Sequence, residues 1–371
     1  MIGKTVIRIR FRKRKYQNSC EYSGELPDIR DCENETYGCK KEKGIIVENM
    51  EEKVYTTPYG KIYYWTAYSG KEKQWLIFLP GLTADHRLFE KQTEALRKDY
   101  NCMVWDAPAH GKSRPFTLCF TMEDMADYLK QILEREGIFS PVLVGQSLGG
   151  YISQVYMQRY PKSVSGFVSI DSCPLKRKYY TGAELLMHTK WMYRSIPWKM
   201  LLKFGTEGTS ETKYGRKLMV RMMLSYGKKE YCDLADHGFH IFAQAVEKKL
   251  PYEISCPYLV LCGEKDAAGS AKRYNRNWKR REHCMLVWIP EAGHNSCCDA
   301  PDFVNRHIKR FADSLKKDKS DRKEDGFGLS NVNQRIRHYY GEGYGISFES
   351  RENEGTTATI ILEAKNNQPF V

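Results

Sequence analysis

Pro141-Val142-Leu143-Val144-Gly145-Gln146-Ser147-Leu148-Gly149-Gly150 is the stretch that decides how the rest of this chain is read. A short apolar run, Val142 to Val144, leads straight into Gly-x-Ser-x-Gly with no room for an ordinary loop. Helical periodicity starts at once, because Leu148, Ile152, Val155 and Tyr156 fall on one face of a 3.6-residue repeat. Strand, tight turn and helix are thus compressed into one short segment. Glycines at 145 and 149 relieve the crowding on either side of such a turn, and the serine is left at its apex with the hydroxyl above the strand ends. The first turn of the helix offers N–H groups without intrahelical partners, which suit a developing negative charge. A plain Gly/Ser turn between two core elements is the alternative; the flanking strand and helix favour Ser147 as a nucleophile.

Length and composition set the frame. The chain has 371 residues, 41% hydrophobic and 28% charged, as in a water-soluble globular protein with one large domain plus extras or two ordinary ones. Its longest apolar stretches, such as Trp75 to Leu79, stop far short of the roughly 20 residues that span a bilayer. Residues 1–15 interleave charges with aliphatics and do not read as a secretory signal. The 12 cysteines follow no framework spacing, and Cys20, Cys32 and Cys39 lack the close pairing of a zinc site, so a reducing cytoplasm is the expected compartment and no metal or cofactor is expected. A net charge of +13 invites a nucleic-acid or anionic-membrane reading. The basic residues lie in short separated runs (Arg12 to Lys15, Lys40 to Lys43, Lys272 to Arg281, Lys316 to Lys319), most of them close to acidic neighbours, so a solvated surface is expected and nucleic acid is not expected as a partner.

Taken in order, residues 1–50 open on an alternating run, Thr5 to Arg12, and then become polar; no function is assigned to them. Lys53 to Thr57 and Ile62 to Thr66 read as a hairpin about Pro58-Tyr59-Gly60. Trp75 to Leu79 is a buried-strand pattern, followed by a helical segment from Arg87 to Leu96 and a strand from Cys102 to Trp105. Thr121 with Asp124 makes a capping-box start for a helix that carries Met122, Met125, Leu129 and Leu133 on one face, with Gly137 as its stop. After Ser147 come strands at Gly166 to Ile170, Tyr258 to Leu261 and Met285 to Ile289. Strands alternating with helix-period segments predict an α/β domain around a mostly parallel sheet. The run from Asp171 to Pro257 breaks that alternation with helix-like segments at Leu185 to Trp198, Gly215 to Tyr226 and Gly238 to Lys248. It is far longer than an ordinary crossover, and reads as a helical cap, about residues 172–256, over the strand ends.

A serine hydroxyl needs a base to take its proton, and that base needs an orienting acid. Asp266 follows the strand ending at Cys262, and His294 follows the strand Met285 to Ile289. Both stand just past the C-terminal ends of strands, as Ser147 does, in the chain order Ser, Asp, His. Asp171 also ends a core strand and competes with Asp266 for the acid's role. Glu264 sits closer to its strand end and is expected to point away. His110 lies within a turn and is expected to be structural; His86 is read as lining the mouth of the site or as a surface residue.

On four motifs in this order, residues 51–316 resemble the α/β-hydrolase family: Leu79-Pro80-Gly81-Leu82, Asp106-Ala107-Pro108-Ala109-His110-Gly111-Lys112-Ser113, Gly145 to Gly150, and Gly263 to Asp266 with Ala292-Gly293-His294. By position, the resemblance implies Ser147 as nucleophile, His294 as base and Asp266 as acid, with an oxyanion hole from the backbone N–H groups of Leu82 and Leu148. Many members carry a histidine before the first glycine, where this chain has Pro80, and a glycine where it has Ala109. The implied fold is the α/β-hydrolase fold, with helices flanking the sheet and a cap inserted between two core strands. The implied activity is serine hydrolysis of an ester-like carbonyl through an acyl-enzyme. A carbon–carbon bond hydrolase, thioesterase or perhydrolase on the same scaffold stays open. So does a non-catalytic signalling protein linked to a sensor kinase. A cap rich in Met and aromatic residues implies a small or medium apolar acyl substrate; the oligomeric state is left open.

Residues 317–325 are charged and read as a linker. Beyond it, Gly326-Phe327-Gly328-Leu329 and the two strand-like runs Ile346 to Glu349 and Thr356 to Leu362 resemble the last third of the ATPase domain of sensor histidine kinases of the autolysin-regulator type, over about residues 326–364. The asparagine-bearing helix and the Asp-x-Gly box of such a domain have no counterpart upstream. Residues 326–371 are therefore read as a partial ATPase-like fragment, a remnant or fusion, without nucleotide binding.

Overall fold

Short runs with no polar face are buried on both sides, and this makes them the centre of a sheet rather than its edge. The computed structural model describes residues 50–180, 194–250, 252–268, 270–282, 284–320, 336, 344–351 and 355–361. In chain order the first unit, Asn49–Lys323, runs through β1 (Glu51–Thr57), β2 (Gly60–Ala67), β3 (Trp75–Leu79), α1 (Glu90–Leu96), β4 (Asn101–Trp105) and α2 (Met122–Arg135). It continues with β5 (Val142–Gln146), α3 (Leu148–Arg159), β6 (Gly166–Ile170), α4 (Trp198–Glu207), α5 (Lys213–Leu224) and α6 (Lys228–Glu247). It closes with β7 (Tyr258–Gly263), α7 (Ala271–Glu282), β8 (Met285–Ile289), α8 (Ser296–Asp299) and α9 (Pro301–Ser320).

Eight strands form one sheet in the order β1-β2-β4-β3-β5-β6-β7-β8. β1 and β2 pair antiparallel, as do β2 and β4. From β4 through β8 every pairing is parallel. The strand order reverses around β3: β4 lies on one side and β5 on the other, with Leu79 opposite Gly145. Such a switch point opens a crevice at the carboxyl ends of the strands. Here the loops after β3 and β5 emerge side by side, which brings the neighbourhoods of Leu82 and Ser147 together.

The helices pack on this sheet by single apolar stripes. α2 buries Met122, Met125, Ala126, Leu129, Ile132 and Leu133, and begins at a complete capping box between Thr121 and Asp124. It ends where expected, with Gly137 at φ +64°. α7 carries the basic run Lys272 to Arg281, yet buries Ala271, Tyr274, Asn275 and Trp278 at helical spacing and turns its cations outward. Among the described residues no helix is long and apolar enough to cross a membrane, and the described cysteines are all free thiols.

Several boundaries differ from the sequence expectation. The segment Arg87 to Leu96 begins with a 3-10 turn, His86–Phe89, before α1. α6 starts at Lys228, ten residues ahead of Gly238, because its first turns bury Cys232, Leu234, Ala235 and Asp236. α4 begins at Trp198, where the helix expected from Leu185 was to end; most of that expected helix lies outside the described residues. α9 runs to Ser320, so the first residues of the expected linker, 317–320, are helical. The expectations for residues 1–49 and for Gly326 to Gly343 fall outside the described residues, apart from position 336. In the second unit the two strand-like runs do form an antiparallel hairpin, β9 (Gly345–Arg351) with β10 (Gly355–Ile361).

The capping box and the α2 stripe separate two energy scales. Thr121→Ala should cost about 1 kcal/mol through the lost cap, whereas Leu129→Ala, which empties a fully buried site, should cost about 2–5 kcal/mol. Urea unfolding of the two variants checks the order; equal costs would contradict the packing described.

Candidate active site

Ser147 sits at the apex between β5 and α3 with φ +48°, a backbone conformation that L side chains rarely adopt. Two glycines make the turn possible: a Cβ on Gly145 would run into the carbonyl of Gly149, and a Cβ on Gly149 into that of Leu79. The turn is held from β6, since the Ser147 N–H donates to the Ile170 carbonyl at 3.0 Å and Ser172 Oγ donates to the Ser147 carbonyl at 2.8 Å. Leu148 is the first residue of α3, where a helix leaves the N–H without an intrahelical acceptor. Leu82, from the loop after β3, lines the same cavity as Ser147 and Leu148.

His294 lines this cavity from the loop after β8, and Asp266, in the loop after β7, is bonded to its ring. Their loops are knitted by backbone bonds, Glu264 N–H to Ile289 carbonyl at 3.0 Å and Lys265 N–H to Ala292 carbonyl at 2.9 Å. The His294 Nδ1 lies 3.2 and 3.1 Å from the two carboxylate oxygens of Asp266. Asp266 is buried, and its Oδ1 also accepts the Ala268 N–H at 2.9 Å. Burial alone would push the His294 pKa down; the charge of Asp266, its hydrogen bond and the charge of Asp171 outweigh that, and the pKa is raised to about 9.

The cavity has a volume of about 470 Å³ and is lined mostly by apolar and aromatic groups. Its floor comes from the sheet loops and α3; the facing wall comes from the helices between β6 and β7, with Met219 of α5 and Ala235, Phe239 and Phe242 of α6. Tyr151, one turn after Ser147, packs on Phe242 with ring centroids 4.7 Å apart.

The other titratable residues singled out from the sequence lie elsewhere. His110 is buried, with Nδ1 2.9 Å from the Pro108 carbonyl. His86 is neither at the mouth nor a free surface group: it stacks on Trp65 at 3.8 Å between ring centroids and bonds Asp106 Oδ1 through Nδ1 at 2.9 Å. Asp106 also accepts the Lys112 N–H at 2.7 Å, so its turn is structural, and Ala109 adopts φ +66° at the position where glycine is common. Glu264 is exposed. Asp171 lines the cavity but bonds the Gly263 N–H and Ser296, while the His294 ring bonds Asp266. Burial and the charge of Asp266 push the Asp171 carboxyl well above the usual carboxylate range. Among the described residues, two groups bring ligand-type atoms within 4.8 Å of one another, Asp85 with His86 and Asp106, and Asp171 with Cys262 and Asp266. In both, the carboxylates are already engaged by donors from the chain itself.

Sequence reasoning missed two anchors of the histidine loop. Gln146 Nε2 donates to the His294 carbonyl at 2.9 Å, tying the residue before the serine to the histidine backbone. Asp299 Oδ2 accepts the N–H groups of Gly293 and Glu211, both at 2.9 Å. Gln146 occupies a variable position of Gly-x-Ser-x-Gly, and nothing local marks its reach.

A family model described as the alpha/beta hydrolase fold matches residues 74–191. An uncharacterized hydrolase of Bacillus subtilis, YugF, is 24% identical over 255 residues, covering 67% of this chain and 93% of that protein. A thermophilic esterase from Thermogutta terrifontis superposes with a TM-score of 0.58 at 20% identity, over 72% of this chain and 98% of that one. The Cif epoxide hydrolase from Acinetobacter nosocomialis gives 0.63 at 14% identity, over 80% and 99%. This chain is an enzyme with the α/β-hydrolase fold. The matches span nearly the full length of these relatives, 93%, 98% and 99% of them.

The histidine–carboxylate pair can be tested without turnover. Asp266→Asn removes the main group that raises the His294 pKa, so burial then dominates and the midpoint should fall from about 9 to the ordinary histidine value or below. Histidine-selective NMR titration reads it; a midpoint still near 9 would contradict the pairing.

Proposed function

We propose that the hydrolase cleaves an ester-like carbonyl by two-step acyl transfer, with Ser147 as nucleophile, His294 as base and Asp266 as acid. The observation that carries this reading is a partly buried imidazole, bonded through Nδ1 to a buried carboxylate, in the same cavity as a serine at the apex of a strained turn. With Nδ1–H donated to Asp266, the Nε2 lone pair is the one left to take the serine proton. Ser147 Oγ attacks the carbonyl, and His294 returns the proton to the leaving alcohol. Water then repeats the attack on the acyl-enzyme and restores the serine. The N–H groups of Leu148 and Leu82 receive the oxyanion in both steps.

Helices α4, α5 and α6 act as a cap in this reading. They supply the apolar side of the cavity, which fits a small or medium uncharged acyl group better than an ionised one. The similar structures include an esterase and an epoxide hydrolase, and the bond cleaved is set by the cap and the lining, not by the scaffold. Thioester, carbon–carbon and perhydrolase substrates belong in the same assay panel for that reason.

Ser147→Ala should abolish hydrolysis of short p-nitrophenyl esters and labelling by a fluorophosphonate probe while the thermal midpoint stays near that of the wild type. Wild-type turnover by the alanine variant would refute the nucleophile. The pH profile gives a second check. His294 must be neutral to act as base, so kcat/KM should climb about tenfold per pH unit well below the His294 pKa and level off only near that value, which is about 9. A plateau already reached by pH 7 would contradict the raised pKa.

A further inference from the structure

The end of β6 has no part in the acyl-transfer scheme, yet it touches all three loops that do. Ile170 accepts the Ser147 N–H at 3.0 Å, and Ser172 Oγ donates to the Ser147 carbonyl at 2.8 Å. Between them, Asp171 reaches the other two loops. Its Oδ1 accepts the Gly263 N–H at 2.8 Å, three residues before Asp266. Its Oδ2 accepts the Ser296 N–H at 3.0 Å and meets Ser296 Oγ at 2.5 Å, two residues after His294. Asp171 is only 1% exposed and holds a left-handed backbone, φ +46°, to make these contacts.

We propose that Asp171 is a positioning residue of this site: its carboxylate ties the loop that carries Asp266 to the loop that carries His294, and so sets where the imidazole stands relative to Ser147. This rests on the acyl-transfer reading above for its catalytic consequence, though not for its geometry. A carboxylate is what the place requires. Two backbone N–H groups point at the same side chain, and only a group with two acceptor oxygens satisfies both. An amide would bond one and turn its own NH2 on the other. The choice is expensive, since a second buried acid stands beside Asp266 and the two repel. A residue present for stability alone would be better served by an uncharged side chain. The remaining titratable neighbours are His294 and the thiols of Cys173, Cys262 and Cys297. Burial keeps Cys173 and Cys262 protonated, and contact with Cys298 together with burial does so for Cys297. The acids around the imidazole are therefore Asp266 and Asp171; burial and the charge of Asp266 raise Asp171 to about 8, so it is ionised at the pH near 9 where His294 titrates.

The test uses the full chain in three forms, wild type, Asp171→Asn and Ser296→Ala, with two readouts. Steady-state hydrolysis of a p-nitrophenyl ester gives kcat and KM, and histidine-selective NMR gives the His294 midpoint. For Asp171→Asn, kcat should drop about 10–100-fold, the range expected of a displaced catalytic group. KM should stay within about threefold and the His294 midpoint should fall. Ser296→Ala removes only the hydroxyl contact and should move both readouts the same way by less; it carries the test alone if Asp171→Asn does not fold. Folded variants with wild-type kcat, or with the loss confined to KM, would overturn the proposal, as would an unmoved His294 midpoint. If the wild type showed no Ser147-dependent turnover, the acyl-transfer reading would fail, and the His294 midpoint would still decide whether Asp171 holds the pair.

Discussion

The structure depends on one strained turn. Ser147 is held in a sparsely populated conformation that costs about 1–3 kcal/mol, and it stays there because its neighbours hold it. Its N–H is bonded to Ile170 of β6 and its carbonyl to Ser172, two residues beyond that strand, and the glycines at 145 and 149 let α3 start directly against β3 and β5. Strain of this kind persists only where the surroundings over-determine it. Here the surroundings are the parallel register of β3, β5 and β6, whose pairing places three loop origins side by side.

The same register explains how distant residues meet. β6, β7 and β8 are consecutive neighbours, so the loops after them open on one rim. Hydrogen bonds then fix those loops to one another: Gln146 to the His294 backbone, Lys265 to Ala292, Asp171 to Gly263 and Ser296. The histidine loop is also pinned on its outer side, where Asp299 collects N–H groups from Gly293 and from Glu211 at the start of the α5 region. The wall that shapes the cavity and the loop that carries the imidazole are thus mechanically linked, so a substitution near Glu211 reaches the site through Asp299.

Much of this was legible in the sequence, for identifiable reasons. Strands buried on both faces are written as unbroken apolar runs, and Trp75–Leu79, Gly166–Ile170 and Met285–Ile289 were read with the bounds they have. The turn at Ser147 was legible because glycine spacing encodes backbone crowding directly. Helices with charge-dense outer faces were harder. α7 reads as a basic run until its buried residues Tyr274, Asn275 and Trp278 are seen to share a face, and α9 hides its stripe among lysines and arginines in the same way. At the site, Ser147, His294 and Asp266 were singled out because each follows a strand, and the structure puts Ser147 and His294 on one cavity with Asp266 bonded to the histidine ring. Of the supports, Asp171 was singled out only as a competing acid, and Gln146 and Asp299 not at all, because their contacts arise only where loops cross in space.

The central claim is that a carbonyl carbon is attacked at Ser147 while its oxygen sits between two backbone donors. A crystal structure of the hydrolase after reaction with an alkyl fluorophosphonate tests it most directly. The account predicts phosphorus bonded to Ser147 Oγ, the phosphoryl oxygen within hydrogen-bonding distance of the Leu82 and Leu148 N–H groups, and the alkyl chain against Phe242 and Tyr151. Phosphorus on another residue, or a phosphoryl oxygen directed away from both N–H groups, would contradict it.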